Sequence, residues 1–149
     1  MRIISPIVTT AFAAILAACA GNPAPGDSAY PYNVTGAYDA ALETMGVVYS
    51  GTARVETARG GTLTGSVEVR SPETASGMVS GFVRGDTLRF DLPYERAGGC
   101  TGFLSGVGTI TAGGGEVSGE LEATDDCVGD TFPGTFRWSR AAATEGEAG

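Results

Sequence analysis

The sequence predicts an all-β chain: eight antiparallel strands in an up-and-down meander closed into a small barrel, with a two-sheet β-sandwich as the alternative. Three observations predict it. Between residues 34 and 140 no window keeps a helical apolar period for three turns, whereas apolar and polar residues alternate throughout. Turn-forming residues recur every ten to fifteen positions. Across several of those turns, residues paired at a constant index sum match apolar or Gly with apolar or Gly, as opposing antiparallel side chains on one face should.

The strands follow in order. The first is expected at 35–44, with Gly36, Tyr38, Ala40 and Leu42 on one face, and the second at 47–57, with Tyr49, Gly51, Ala53 and Val55. A three-residue loop at 58–60 leads to the third, 62–70, and pairs Val55 with Leu63 and Gly51 with Val67. The fourth and fifth, 76–84 and 87–95, are joined at Gly85-Asp86, which pairs Val83 with Leu88, Gly81 with Phe90 and Gly77 with Tyr94. The sixth and seventh, 100–112 and 115–124, meet at Gly113-Gly114, a pair suited to a type I′ turn. That turn sets Ile110 against Val117, Leu104 against Ala123 and, beyond the strands, Cys100 against Cys127. The eighth strand, 131–140, carries Phe132, Gly134, Phe136 and Trp138 on the same face.

That shared face holds no charge, and no Asp or Glu is expected to line the interior. The other face carries Asp39, Glu43, Arg54, Glu56, Glu68, Arg70, Arg84, Arg89, Asp91, Glu120, Glu122 and Arg137. One apolar and one wet face on sequential strands with short loops suits a sheet closed on itself. A charged outside excludes a membrane-spanning barrel, because Arg at mid-strand would cost about 2–4 kcal/mol in hydrocarbon. Pro93 and Pro133 each remove a ladder donor and are expected to mark a strand end or bulge.

Composition removes whole classes of chemistry. The chain has no His, Lys or Gln; its nine basic residues are all Arg. A Ser-His-Asp or Cys-His centre, a His-ligated zinc, a Schiff-base lysine and a P-loop are all excluded. No catalytic constellation is seen, so the chain is not read as an enzyme, and no cofactor or metal is expected. A net charge of −8 argues against a nucleic-acid partner, which needs a basic stripe.

The first residues carry an address. Met1 to Ala20 has a single Arg2, an apolar run over 3–18 and the ending Leu16-Ala17-Ala18-Cys19. That ending resembles the lipobox of bacterial lipoproteins. The resemblance implies a signal peptide at 1–18, lipidation of Cys19, and a membrane partner reached through that lipid. Ala rather than Asp at position 20 implies, by the same resemblance, the outer membrane of the cell envelope. The alternative is ordinary secretory cleavage after Ala20, which leaves a soluble exported protein. Residues 19–33, rich in Pro, Gly and small polar residues, read as a flexible tether, 34–140 as the barrel domain and 141–149 as a disordered acidic tail.

With Cys19 lipidated, Cys100 and Cys127 remain, and an oxidising exported compartment favours a disulfide between them. No His, Lys or helix N-terminus is available to activate either as a reactive thiol.

Gly36-Ala37-Tyr38 resembles the G-x-W opening of lipocalins and avidins, with Tyr for Trp, and Leu63-Thr64-Gly65-Ser66-Val67 is similar to strands of the avidin barrel. Trp138-Ser139-Arg140 resembles the close of the lipocalin barrel, where an Arg packs over the barrel mouth. The likeness implies a calycin-type barrel. It does not extend to biotin binding, because the Trp row that avidins use is missing. A bacterial metalloprotease-inhibitor family shares this kind of barrel, disulfide and exported address, but its N-terminal trunk has no match here.

Three candidate sites follow. The barrel interior, lined by Tyr38, Tyr49, Phe90, Tyr94, Phe136 and Trp138, is either a packed core or a pocket for one small apolar ligand with hydroxyl and indole handles. The outward Met78, Phe82 and Phe103 are either scattered surface residues or a patch for an envelope protein, which makes the alternative function a filled barrel acting as an interaction or inhibitor module. Asp125, Asp126 and Asp130 around Cys127 lack the spacing of a known calcium loop and read as a solvated turn.

Overall fold

The computed structural model describes residues 21–142. Strands β1 (Gly36–Thr44), β2 (Val47–Thr57), β3 (Thr62–Ser71), β4 (Ala75–Arg84), β5 (Thr87–Arg96), β6 (Thr101–Ile110), β7 (Glu116–Asp125) and β8 (Asp130–Arg140) follow one another. Each pairs antiparallel with the next, and β8 returns to β1, so the sheet closes into a barrel rather than a sandwich. The register joins Tyr38 to Arg140, Ala40 to Trp138 and Leu42 to Phe136 across that closure. Closure removes both sheet edges, the physical reason short hairpins alone suffice for this topology.

The alternation settles inside from outside. Tyr38, Leu63, Leu88, Val117 and their same-face neighbours are buried, while each of the outward charged residues from Asp39 to Arg137 named above is exposed. The β4–β5 and β6–β7 registers are those set by their turns: Gly81 faces Phe90 and Ile110 faces Val117. The β2–β3 register differs from expectation by two residues. Val55 lies opposite Gly65, and Thr57 opposite Leu63. The connection runs over 58–61 instead of 58–60, closed by Ala58 N–H donating to Thr62 O, with Gly61 at φ 93°. A shift of two leaves every side chain on its own face, so the apolar interior is unchanged.

The prolines also depart from expectation. Pro93 causes neither a strand end nor a bulge. The β4–β5 ladder is interrupted opposite it, between Gly77 and Ser80, and resumes in the same register. Pro133 sits where β1 has already ended, because β1–β8 pairing stops at Thr44 and Gly134. Its carbonyl accepts the Thr44 hydroxyl instead (3.0 Å). The register shift that does occur is in β2, between Ser50 and Gly51.

Glycines let the barrel coil and let large rings enter. A Cβ on Gly106 would meet the Phe90 ring at 2.5 Å, and one on Gly108 the Phe136 ring at 2.6 Å. Phe90, Phe136 and Trp138 therefore fill the axis, with centroid separations of 5.0 Å for Phe90–Phe136 and 5.1 Å for Phe90–Trp138.

Part of the segment read as a tether lies against the barrel. Asp27 N–H donates to Ala24 O and its carboxylate accepts from Ala24 N–H, both at 2.9 Å. Tyr30 hydroxyl donates to Gly85 O (2.9 Å), Gly113 N–H donates to Pro31 O (2.7 Å), and Val34 is fully buried. This segment covers the end that carries the β4–β5 and β6–β7 turns. The segment read as a signal peptide, Cys19, Ala20 and residues 143–149 lie outside the described residues.

Candidate functional site

The interior has two unlike halves, set by side-chain size. Toward the end where the chain enters, Tyr38, Phe90, Phe136 and Trp138 meet on the axis. Tyr38 donates its hydroxyl to Gly114 O (2.7 Å), and Arg140 lies over its ring with Cζ 5.0 Å from the centroid. Arg140 also donates to Thr35 O (2.9 Å), Asn33 O (3.3 Å) and Gly114 O (3.2 Å), which ties the last strand to the entering chain. Burial raises the Tyr38 hydroxyl pKa, against a smaller opposing pull from Arg140. Arg140 therefore packs over the closed end and not over the mouth, where the likeness to lipocalins puts it.

Toward the other end the inward residues are Val67, Val69, Ala75, Gly77, Leu92, Leu104 and Ala123. They are too short to meet across the axis. A cavity of about 210 Å³ remains, opening between the β1–β2, β3–β4, β5–β6 and β7–β8 connections. Tyr49, Tyr94 and Phe132 supply its rings; Glu73, Arg96 and Asp125 supply its charges. Below it, a void of about 20 Å³ touches Phe90, Phe136 and Trp138, which form the floor.

One polar cluster organises the mouth. Asp125 is only 7% exposed. Its carboxylate accepts from Arg96 Nε (2.7 Å) and Nη2 (3.0 Å), from the Tyr94 hydroxyl (3.1 Å) and from the backbone N–H groups of Cys127 (3.0 Å) and Val128 (3.3 Å). Arg96 Nη1 reaches Glu73 Oε1 at 3.3 Å. The Arg96 hydrogen bonds lead the causes that hold the Asp125 carboxyl below the usual carboxylate range. Tyr94 is pushed up to about 12, first by burial and then by its bond to Asp125, so it stays a hydroxyl donor. Cys100 and Cys127 form a disulfide with Cα atoms 5.7 Å apart, fastening the β5–β6 connection to the β7–β8 connection beside this cluster.

The residues that the sequence nominates for the interior thus separate in space. Of the six aromatic candidates, Tyr49 and Tyr94 line the cavity, Phe90, Phe136 and Trp138 lie under it, and Tyr38 belongs to the closed end. The expectation that no acidic residue lines the interior is corrected by Asp125. Alternation carries a signal for it: Ala123 and Asp125 share a face, as do Tyr94 and Arg96, one step past the four inward positions taken for each strand. The three acidic residues near Cys127 do not converge. Asp126 accepts from the Thr101 hydroxyl (2.6 Å) and Asp130 from Thr131 N–H (2.8 Å), while Asp125 turns inward. Phe132, Glu73 and Leu42 also line the cavity, and none of them is among the six aromatic candidates.

Outside the barrel, Met78 and Phe103 flank Pro93, whereas Phe82 lies in another row beside Arg89 and Val107. The two rows are separated by Ser80, Asp91 and Ser105. Phe82 is also covered in part by Arg84, whose Cζ is 5.8 Å from the ring centroid.

No protein-family model matches the sequence, and no curated protein matches it. Solved structures that resemble the fold include three small barrels. EF1p2_mFAP2b bound to DFHBI is 15% identical with a TM-score of 0.61, covering 72% of this chain and 94% of its own. The redesigned beta barrel mFAP1 bound to DFHBI is 17% identical, with a TM-score of 0.57 and the same coverage. The redesigned beta barrel b11L5F_LGL is 16% identical, with a TM-score of 0.54, covering 73% of this chain and 92% of its own. At these identities the likeness is one of fold.

Proposed function

We propose that the protein is an envelope lipoprotein whose barrel holds one small, largely apolar ligand in its open half. The observation that carries this reading is the cavity of about 210 Å³ with Val, Leu and aromatic walls. Volume left between apolar walls forgoes packing contacts that a filled core would make. A barrel kept only as a scaffold would recover much of that by placing larger residues at Ala75 or Ala123. Eight strands are also the number at which a barrel can enclose one small ligand. Two of the similar barrels were solved with DFHBI bound, which agrees with that capacity in the architecture.

In this reading Cys19 carries the lipid. The chain enters through the closed end, and residues 24–34 pack there, so few residues separate the anchor from the barrel. The mouth then opens away from the bilayer. The test is titration of the full chain with an uncharged apolar fluorophore, wild type against Ala123→Leu. Wild type should bind and the variant, still folded by circular dichroism, should lose most of the signal. Equal uptake by both proteins, or none by wild type, would refute the pocket.

A further inference from the structure

We infer that the ligand of the open half is a lipophilic cation, an apolar body carrying a protonated amine. The inference rests on the pocket reading above and adds the charge class of what the pocket takes. Three charged side chains line the mouth, Glu73, Arg96 and Asp125, and two of them are acidic. The one cation among them is already engaged. Arg96 holds Asp125 at 2.7 Å and 3.0 Å and Glu73 at 3.3 Å. An incoming carboxylate would therefore meet two carboxylates and compete for a guanidinium that both already neutralise. It would lose more than it gained, because like charges at this range repel in a partly buried, lower-dielectric site.

An ammonium meets the opposite situation. Glu73 is bound through one oxygen only; its other oxygen has no hydrogen-bond partner among the described residues, and its side chain is 36% exposed. Arg96 and Tyr94 both donate to Asp125, which holds its carboxyl below the usual carboxylate range. Tyr49, Tyr94 and Phe132 line the same cavity, and the faces of such rings attract cations. The net charge of −8 raises the local concentration of cations further. Apolar walls below and a carboxylate with aromatic rings above match an amphiphile whose charged end remains at the mouth.

The test uses three probes sharing a cyclohexylmethyl-type body: cyclohexylmethylamine, cyclohexylmethanol and cyclohexanecarboxylate. Their binding to the purified full chain is measured by calorimetry at low salt and neutral pH. The amine should bind at least about tenfold more tightly than the carboxylate, with the alcohol between. The Glu73→Gln variant should bring the amine close to the alcohol. A carboxylate that binds as well as the amine would overturn the charge assignment and leave the pocket standing. An amine advantage untouched by E73Q would overturn the role of Glu73. Failure of all three probes would remove the pocket and this inference with it.

Discussion

The two ends of the barrel are built from the same alternating pattern and differ in what stands on its inward positions. At the closed end the inward rows present Tyr38, Phe90, Phe136 and Trp138, glycines stand opposite to admit their rings, and Val34 and the entering chain cover the rim. At the open end the rows present Val, Ala, Gly and Leu, and an ion pair with a disulfide holds the rim instead. Aromatic fill makes one end a core. Short side chains make the other a container, whose shape depends on a few polar contacts and one covalent link. Dense packing and open volume are thus assigned to different halves of one continuous sheet.

The largest expected effect sharpens that division. Trp138→Ala removes a 3% exposed ring from the closed half and should destabilise by about 3–5 kcal/mol in urea unfolding. Phe132→Ala, a half-buried ring at the mouth, should cost at most about 1–2 kcal/mol while weakening probe binding. Equal losses would break the comparison.

Next in size is the cross-link. Replacing Cys100 and Cys127 together by Ser opens a loop closed over a separation of 27 residues and should cost about 3–4 kcal/mol on the chain-entropy account. The gain in hydrogen exchange should concentrate at 97–102 and 124–129, leaving 30–38 and 113–116 protected. Uniform loosening of both ends would argue that the halves are one cooperative block.

The smallest effect is the acid response of the mouth. The Asp125 carboxyl is held below its ordinary value in the fold, so its contribution is fully present above that ordinary value, near pH 4, and is lost as pH falls through the lowered one. Urea midpoints measured from about pH 6 to pH 2.5 should decline less steeply in Asp125→Asn than in wild type at the acid end. Parallel declines would detach Asp125 from the acid response.

Much of the fold is legible in the residues, and the reason is local. Side-chain direction in a strand has period two, so Phe90 inward and Arg89 outward follow from adjacency alone. The glycine turns at 85–86 and 113–114 carry their registers, and with the latter the Cys100–Cys127 pairing. The β2–β3 difference has no consequence for the interior because a slip of two keeps the face. The inward turn of Arg96 and Asp125 lies one alternation beyond the inward positions read from the pattern, at strand ends where local pattern and loop are hardest to separate.

What the sequence alone determined is therefore which side of every strand meets water, since that depends on each residue and its immediate neighbours. Whether the inward side chains meet on the axis depends on strand tilt, coiling and closure of all eight strands together. Only the tertiary structure decided that they meet at Trp138 and fall short at Ala123, and that a charged pair stands at the mouth of the gap.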